Sequence, residues 1–246
     1  MNIGAPNSRS DEKCDITSRV SWGRLLMAAI IMLVLPAVIL FGSSGRLNWG
    51  MAWVYIGMTT AFTIGSRIIM FRKNPALIAE RAQFLDKRDA KPWDKTLMPL
   101  VAIIGPTVML IVAGLDERFG WSPNLPLALQ VAALVITALG YLLGVWAIVV
   151  NKFFSAVVRI QRERGHTVVT SGPYRYVRHP GYAGGIVANF AMPLMLDSLW
   201  ALVPAVLVNC LLIVRTALED RTLQEELEGY RDYAGRVLYR LLPGVW

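Results

Sequence analysis

Two histidines and two cysteines are all that this 246-residue chain carries of those types. Cys14 lies in a polar N-terminal stretch and Cys210 inside an apolar run, so no disulfide is expected between them. With no CxxC and two imidazoles, a protein-built metal cage is not expected either. Charged residues are scarce, at 17%, while 55% of the chain is hydrophobic. The chain has no GxGxxG after a strand, no GxxxxGK[ST], no HExxH and no GxSxG. Hydride transfer on a Rossmann domain, nucleotide hydrolysis, zinc proteolysis and serine hydrolysis therefore lack their usual residues. Acids and histidines are also missing from the middle of the apolar runs, where an ion- or proton-coupled transporter would place them.

What the chain has instead is apolar length. Six stretches stand out, at 22–42, 49–71, 97–115, 125–150, 183–196 and 199–214. Runs of about 20 apolar residues read as spanning helices, so the expected fold is all-α, a polytopic integral membrane protein with about six transmembrane helices. The fifth and sixth runs are short and joined by Asp197-Ser198, which predicts a tight helical hairpin over 183–214. Pro36, Pro106, Pro193 and Pro204 fall inside runs, where spanning helices accept them as kinks. The first run follows a polar stretch and lacks an Ala-x-Ala-type cleavage site, so it reads as a retained helix.

A net charge of +8 would suit a nucleic-acid binder if it were spread over one face. With the N-terminus inside and six alternating spans, however, 23 of the 25 Lys and Arg fall on the inner side, leaving only Arg46 and Arg118 outside. That bias predicts a multi-pass membrane protein with both termini cytoplasmic and no nucleic-acid partner; the membrane expected is a bacterial inner one. Residues 1–20 read as a disordered cytoplasmic tail and 21–150 as a four-helix membrane region with a basic loop at 72–95. Within that loop Asn74 and Pro75 are suited to begin a short interfacial helix, though a solvated connector binding anionic headgroups fits as well. Trp22, Trp49, Trp53, Trp93, Trp121 and Trp200 lie near predicted span ends and suit an interfacial aromatic belt.

Polar chemistry concentrates in three places. The strip from His166 to Gly172 is short and extended, so its backbone groups can serve a flat heterocycle or simply connect. From Gly172 to Tyr182 come Tyr174, Tyr176, Arg175, Arg178 and His179. Pro180 biases His179 away from helix, which places it with Tyr182 at the N-terminal lip of the fifth span. Arg215 and Glu219 are four apart and share a helix face, either as a local ion pair or acting jointly on a ligand. Beyond them, Leu223, Leu227, Tyr230, Ala234, Val237 and Leu241 recur at helical steps. They predict one amphipathic helix that lies on the membrane or folds back over the central loop.

In order and spacing these blocks resemble the isoprenylcysteine carboxyl methyltransferase (ICMT) family, related to the phospholipid N-methyltransferases. The resembling motifs are HxxVTSGxY at His166–Tyr174, RHPxYxG at Arg178–Gly184, RTxxE at Arg215–Glu219 and YxxYxxRV at Tyr230–Val237. The resemblance covers 151–246, about 40% of the chain, and implies that this region is catalytic: a cytoplasmic site binding S-adenosylmethionine (SAM). For the cofactor it implies His166, Thr167, Val168, Val169, Tyr174, Arg178, His179, Pro180, Gly181, Tyr182 and Glu219. For catalysis it implies Arg215, facing the methyl acceptor, and Glu219. The family often has paired Glu where this chain has Glu219-Asp220, and near the position of an upstream glutamine stand Arg159 and Gln161. The implied enzyme is a SAM-dependent membrane methyltransferase, acting on an isoprenylcysteine carboxylate-like group, a small thiol or a lipid amine, without a metal. The alternatives are a steroid-reductase-like membrane enzyme using NADPH and a non-catalytic membrane protein.

Overall fold

The computed structural model describes residues 22–74, 77 and 90–246, with side chains of the first helix from Leu33 onward. The polar N-terminal tail and most of the basic loop, including its expected interfacial helix, lie outside the described residues. Each of the six apolar stretches falls on a helix, and the described residues contain no strand. They are α1 Trp22–Ser44, α2 Gly50–Lys73, α3 Asp94–Phe119, α4 Leu127–Val150, α5 Pro180–Met195 and α6 Leu202–Glu226. Four of them, α2, α3, α4 and α6, are long and apolar enough to cross a membrane; α5 has 16 residues. The molecule is a polytopic helical membrane protein.

Sequence chemistry explains the irregular points. Pro99 and Pro106 each lack the N–H that a helix directs at the carbonyl four residues back. Between them α3 loosens into a π turn over Leu100–Ile104, where the Gly105 N–H reaches the Leu100 carbonyl. The backbones of α4 and α5 approach closely because glycines face each other. A Cβ on Gly184 would lie 2.4 Å from the Gly140 carbonyl oxygen, and one on Gly140 would lie 2.5 Å from that of Gly184. Lipid gives helices no hydrophobic reason to associate, so such small-residue seams carry the packing. Leu40, Tyr55, Met109, Ala133, Met195 and Val208, one from each of the six helices, belong to a single buried cluster.

One end of the bundle is tied by acids. The Asp116 carboxylate accepts from Ser122 (N–H 2.7 Å, hydroxyl 2.6 Å) and from the Ser198 hydroxyl at 2.6 Å. Asp197, at φ 60°, accepts the Leu125 N–H at 2.7 Å. The predicted hairpin turn at Asp197-Ser198 is therefore anchored to the α3–α4 connection. Of the expected belt tryptophans, Trp53, Trp121 and Trp200 are exposed, and the Trp22 side chain lies outside the described residues. Trp49 departs from the expectation: it is 5% exposed and packs in the core against α1 and its neighbours.

The other end holds the long connection 151–179 and the C-terminus. Here α6 does not stop near Val214 but runs on to Glu226, carrying Arg215, Glu219 and Asp220 on continuous helix. The single amphipathic helix expected beyond it is broken. Leu227 is extended, Gly229 sits at φ 77°, and a short helix α7, Tyr230–Arg236, doubles back. The left-handed Gly229 is the turning point, a conformation open to glycine at little steric cost. Of the two dispositions left open by the sequence, folding back is the one adopted: Leu227, Tyr230 and Tyr233 bury themselves against Ile160 and Val168 of the connection.

Candidate active site

The 151–179 connection is shaped by side chains that satisfy its backbone. Asn151 ends α4, and its Oδ1 accepts the Phe153 N–H at 2.9 Å. The wholly buried Gln161 donates Nε2 to the Phe153 carbonyl at 2.7 Å and accepts from Arg164 through Oε1. A 3₁₀ turn at Arg162–Arg164 ends on Gly165 in the left-handed region, and the chain then runs without regular secondary structure through 166–170. The backbone N–H and C=O groups of Thr167, Val168, Val169 and Thr170 make no hydrogen bond with any described residue. Main-chain groups left unpaired beside a cavity ask for a partner. A second 3₁₀ turn, Gly172–Arg175, swings Tyr174 inward, where Asn151 Nδ2 donates to its hydroxyl at 3.3 Å.

These segments enclose a cavity of about 780 Å³ including its open mouth. The strip forms one wall, the first turn of α5 another and the polar part of α6 a third, with α7 across it. Of the expected residues His166, Thr167, Val168, Val169, Tyr174, Arg178, His179, Gly181, Tyr182, Arg215 and Glu219 all line it. Pro180 does not; it is buried at the start of α5 and fixes the direction in which His179 and Gly181 enter. The rings of His179 and Tyr182 lie parallel with centroids 5.7 Å apart, the neighbourhood expected of them at this helix start.

Arg215, Tyr182 and Glu219 form one hydrogen-bonded row. The Tyr182 hydroxyl accepts from Arg215 Nη1 at 2.6 Å and donates to Glu219 Oε2 at 2.5 Å. Oε1 of Glu219 has no partner among the described residues. The other side of the Arg215 guanidinium is held by Asp94, with Nε at 2.6 Å and Nη2 at 3.1 Å. Arg215 and Glu219 are therefore linked through the Tyr182 hydroxyl instead of closing on each other as a local ion pair.

Asp220 faces away from the cavity and organises the wall behind it. Its carboxylate, wholly buried, accepts from Arg178 (2.8 and 3.0 Å), Tyr230 (3.0 Å), Gln224 (2.8 Å) and Arg240 (2.9 Å), with His179 Nε2 at 3.3 Å. Arg178 directs Nη1 at the carbonyls of Val237 at 2.7 Å and Leu238 at 3.0 Å. Its backbone N–H and that of His179 reach the carbonyls of Tyr239 and Arg240. The charged end of Arg178 thus fastens the C-terminal segment, while its flank borders the cavity.

His166 stacks near Phe153, with centroids 4.4 Å apart, and its Nδ1 accepts the Gln161 N–H at 3.3 Å. That bond assigns the proton of the neutral ring to Nε2, making it a donor. Burial, reinforced by Arg164 and Arg159, lowers its pKa from 6.5 to about 4, so the ring is neutral at physiological pH. Burial raises the Tyr174, Tyr230 and Tyr233 hydroxyls above their ordinary range, keeping them protonated as donors. Arg159 lines the cavity, whereas Gln161 is consumed by the connection itself. No cluster of potential metal ligands occurs among the described residues.

Residues 131–225 match the isoprenylcysteine carboxyl methyltransferase (ICMT) family. Over this region the chain is ICMT-like. It is 32% identical over 107 residues to protein-S-isoprenylcysteine O-methyltransferase B of Arabidopsis thaliana, covering 42% of this chain and 54% of that protein. It is also 35% identical over 91 residues to protein-S-isoprenylcysteine O-methyltransferase of Mus musculus, covering 34% and 30% respectively. The chain spans about half the length of the Arabidopsis relative and under a third of the mouse one. The matched region takes in most of α4, the connection, α5 and nearly all of α6. Tyr230 and Tyr233 line the same cavity and were legible as the YxxYxxRV motif. Asp94 and Asn151 were not, since neither belongs to a recognisable motif.

Proposed function

We propose that the chain is a SAM-dependent membrane methyltransferase that binds SAM in the cavity between the strip 166–170, the start of α5 and α6. The observation that carries this reading is the run of unpaired backbone groups from Thr167 to Val169, which line the same cavity as the half-engaged carboxylate of Glu219. Such groups suit the donors and acceptors of an adenine edge, and a free carboxylate oxygen suits ribose hydroxyls or an ammonium. Tyrosines and the apolar side chains of Leu223 and Leu227 give the remaining walls. SAM, when bound, supplies a methyl already activated on a sulfonium. The chain then has to hold donor and acceptor in line and keep water out, which is catalysis by orientation and fixed electrostatics.

Arg215, set between Tyr182 and Asp94, lines the cavity with one Nη1 N–H left for the acceptor. An isoprenylcysteine carboxylate-like acceptor, a thiol or a lipid amine, entering laterally from the bilayer, fits a site at the ends of α5 and α6. The positive-charge bias supports placing this end, with both termini, in the cytoplasm. The nicotinamide-reductase reading has no observation on its side. The test is a pair of substitutions in purified protein. Arg215→Ala is expected to abolish methyl transfer while leaving SAM binding near that of wild type, and Glu219→Ala to weaken SAM binding itself. Equal loss of both functions in both variants would refute the division of roles.

A further inference from the structure

We propose that Asp94, contributed by α3 from outside the family-matched region, is a positioning residue for Arg215 in methyl transfer; this rests on the methyltransferase reading above. Asp94 is completely buried. Its two oxygens take Arg215 Nε at 2.6 Å and Nη2 at 3.1 Å, and Oδ2 also accepts the Val158 N–H at 2.7 Å. Val158 is itself part of the cavity wall. One carboxylate therefore registers three elements on one another: the start of α3, the 151–179 connection and α6.

The donor count shows what this does to Arg215. A guanidinium has five N–H bonds. Two go to Asp94, one from Nη2 to the Ala156 carbonyl at 3.0 Å and one from Nη1 to Tyr182. The fifth, on Nη1, has no described partner, and Arg215 lines the cavity. Asp94 thus fixes the plane of the guanidinium so that a single N–H is presented, always in the same direction. With Glu219 beyond Tyr182, it also offsets the arginine charge in a site for a sulfonium. A buried ion pair is often no more stabilising than a well-packed apolar substitute. Its value here lies in aim: in-line transfer is sensitive to displacements of about 1 Å.

The experiment uses the full chain purified in detergent, with labelled SAM as donor and an S-prenylated cysteine with a free carboxylate as acceptor. Asp94→Asn keeps the shape and removes the charge. We expect kcat to fall at least about tenfold while the Kd for SAM stays within about threefold, since Glu219 and the strip are untouched. Asp94→Glu, which restores the carboxylate, is expected to recover part of the rate. Asp94→Asn combined with Arg215→Lys is expected to be no slower than Arg215→Lys alone, because both remove the same aim. Wild-type turnover in Asp94→Asn, or effects that multiply in the double variant, would overturn the proposal. So would parallel loss of SAM binding and turnover, the signature of a purely structural role. Failure of the wild type to bind SAM would instead refute the underlying methyltransferase reading.

Discussion

The Tyr182 hydroxyl donates to Glu219 at 2.5 Å across the gap between α5 and α6. This bond joins the HPxY motif to the RTxxE motif, which are separated by more than thirty residues, and makes one wall from two helices. Removing the hydroxyl leaves a carboxylate and a guanidinium short of a partner. Hydrogen bonds to charged groups are worth about 1.5–3 kcal/mol, so Tyr182→Phe should lose on the order of ten- to a hundredfold in kcat/KM. Steady-state kinetics against SAM and acceptor would show it.

Asp220 is expected to matter for assembly of the C-terminal cap. Five side chains converge on it through six contacts, and breaking a buried charge network typically costs about 3–5 kcal/mol. Asp220→Ala should therefore expose the segment after Gly229. Limited proteolysis would report rapid cleavage between Glu228 and Tyr239 in the variant and protection in the wild type.

His166 gives a pH signature. Its folded-state pKa, near 4, is lower than the ordinary 6.5, because burial and two arginines oppose the charged ring. The unfolded chain then binds the proton first, so stability from this residue is present above about pH 6.5 and drains away as pH falls toward 4. Thermal melts of wild type should fall across that window more steeply than those of His166→Gln, and the two should run parallel above it.

The glycine seam offers a sharp internal control. Gly184→Ala places a methyl 2.4 Å from a carbonyl oxygen of α4, whereas a Cβ on the neighbouring Gly185 meets nothing closer than 3.7 Å. Overpacking of this kind costs about 1–3 kcal/mol. Gly184→Ala should lower the melting temperature in detergent, and Gly185→Ala should leave it nearly unchanged.

The features legible in sequence were those with a local period or a contiguous motif. Apolar length located six helices, because spanning segments must satisfy their backbone internally and show it in composition. The four-residue step from Arg215 to Glu219 put both on one face, and Pro180 announced the start of α5. What sequence hid was set by contact at a distance. Asp94 looks like one acid in a basic loop until α3 brings it to Arg215, 121 residues away. Asp220, next to the cavity-facing Glu219, points to the opposite side because adjacent helical residues diverge by about 100°. The break at Gly229 had a signal, a glycine inside an amphipathic pattern, but the apolar period continued through it and masked the turn.

Equilibrium binding of SAM to the detergent-purified full chain, measured by calorimetry, tests the central claim most directly. The account predicts saturable one-site binding, with Kd in the range of about 1 μM to 1 mM typical of enzyme substrates, weakened by Glu219→Gln. Folded, monodisperse protein that takes up no SAM at millimolar concentration would contradict it.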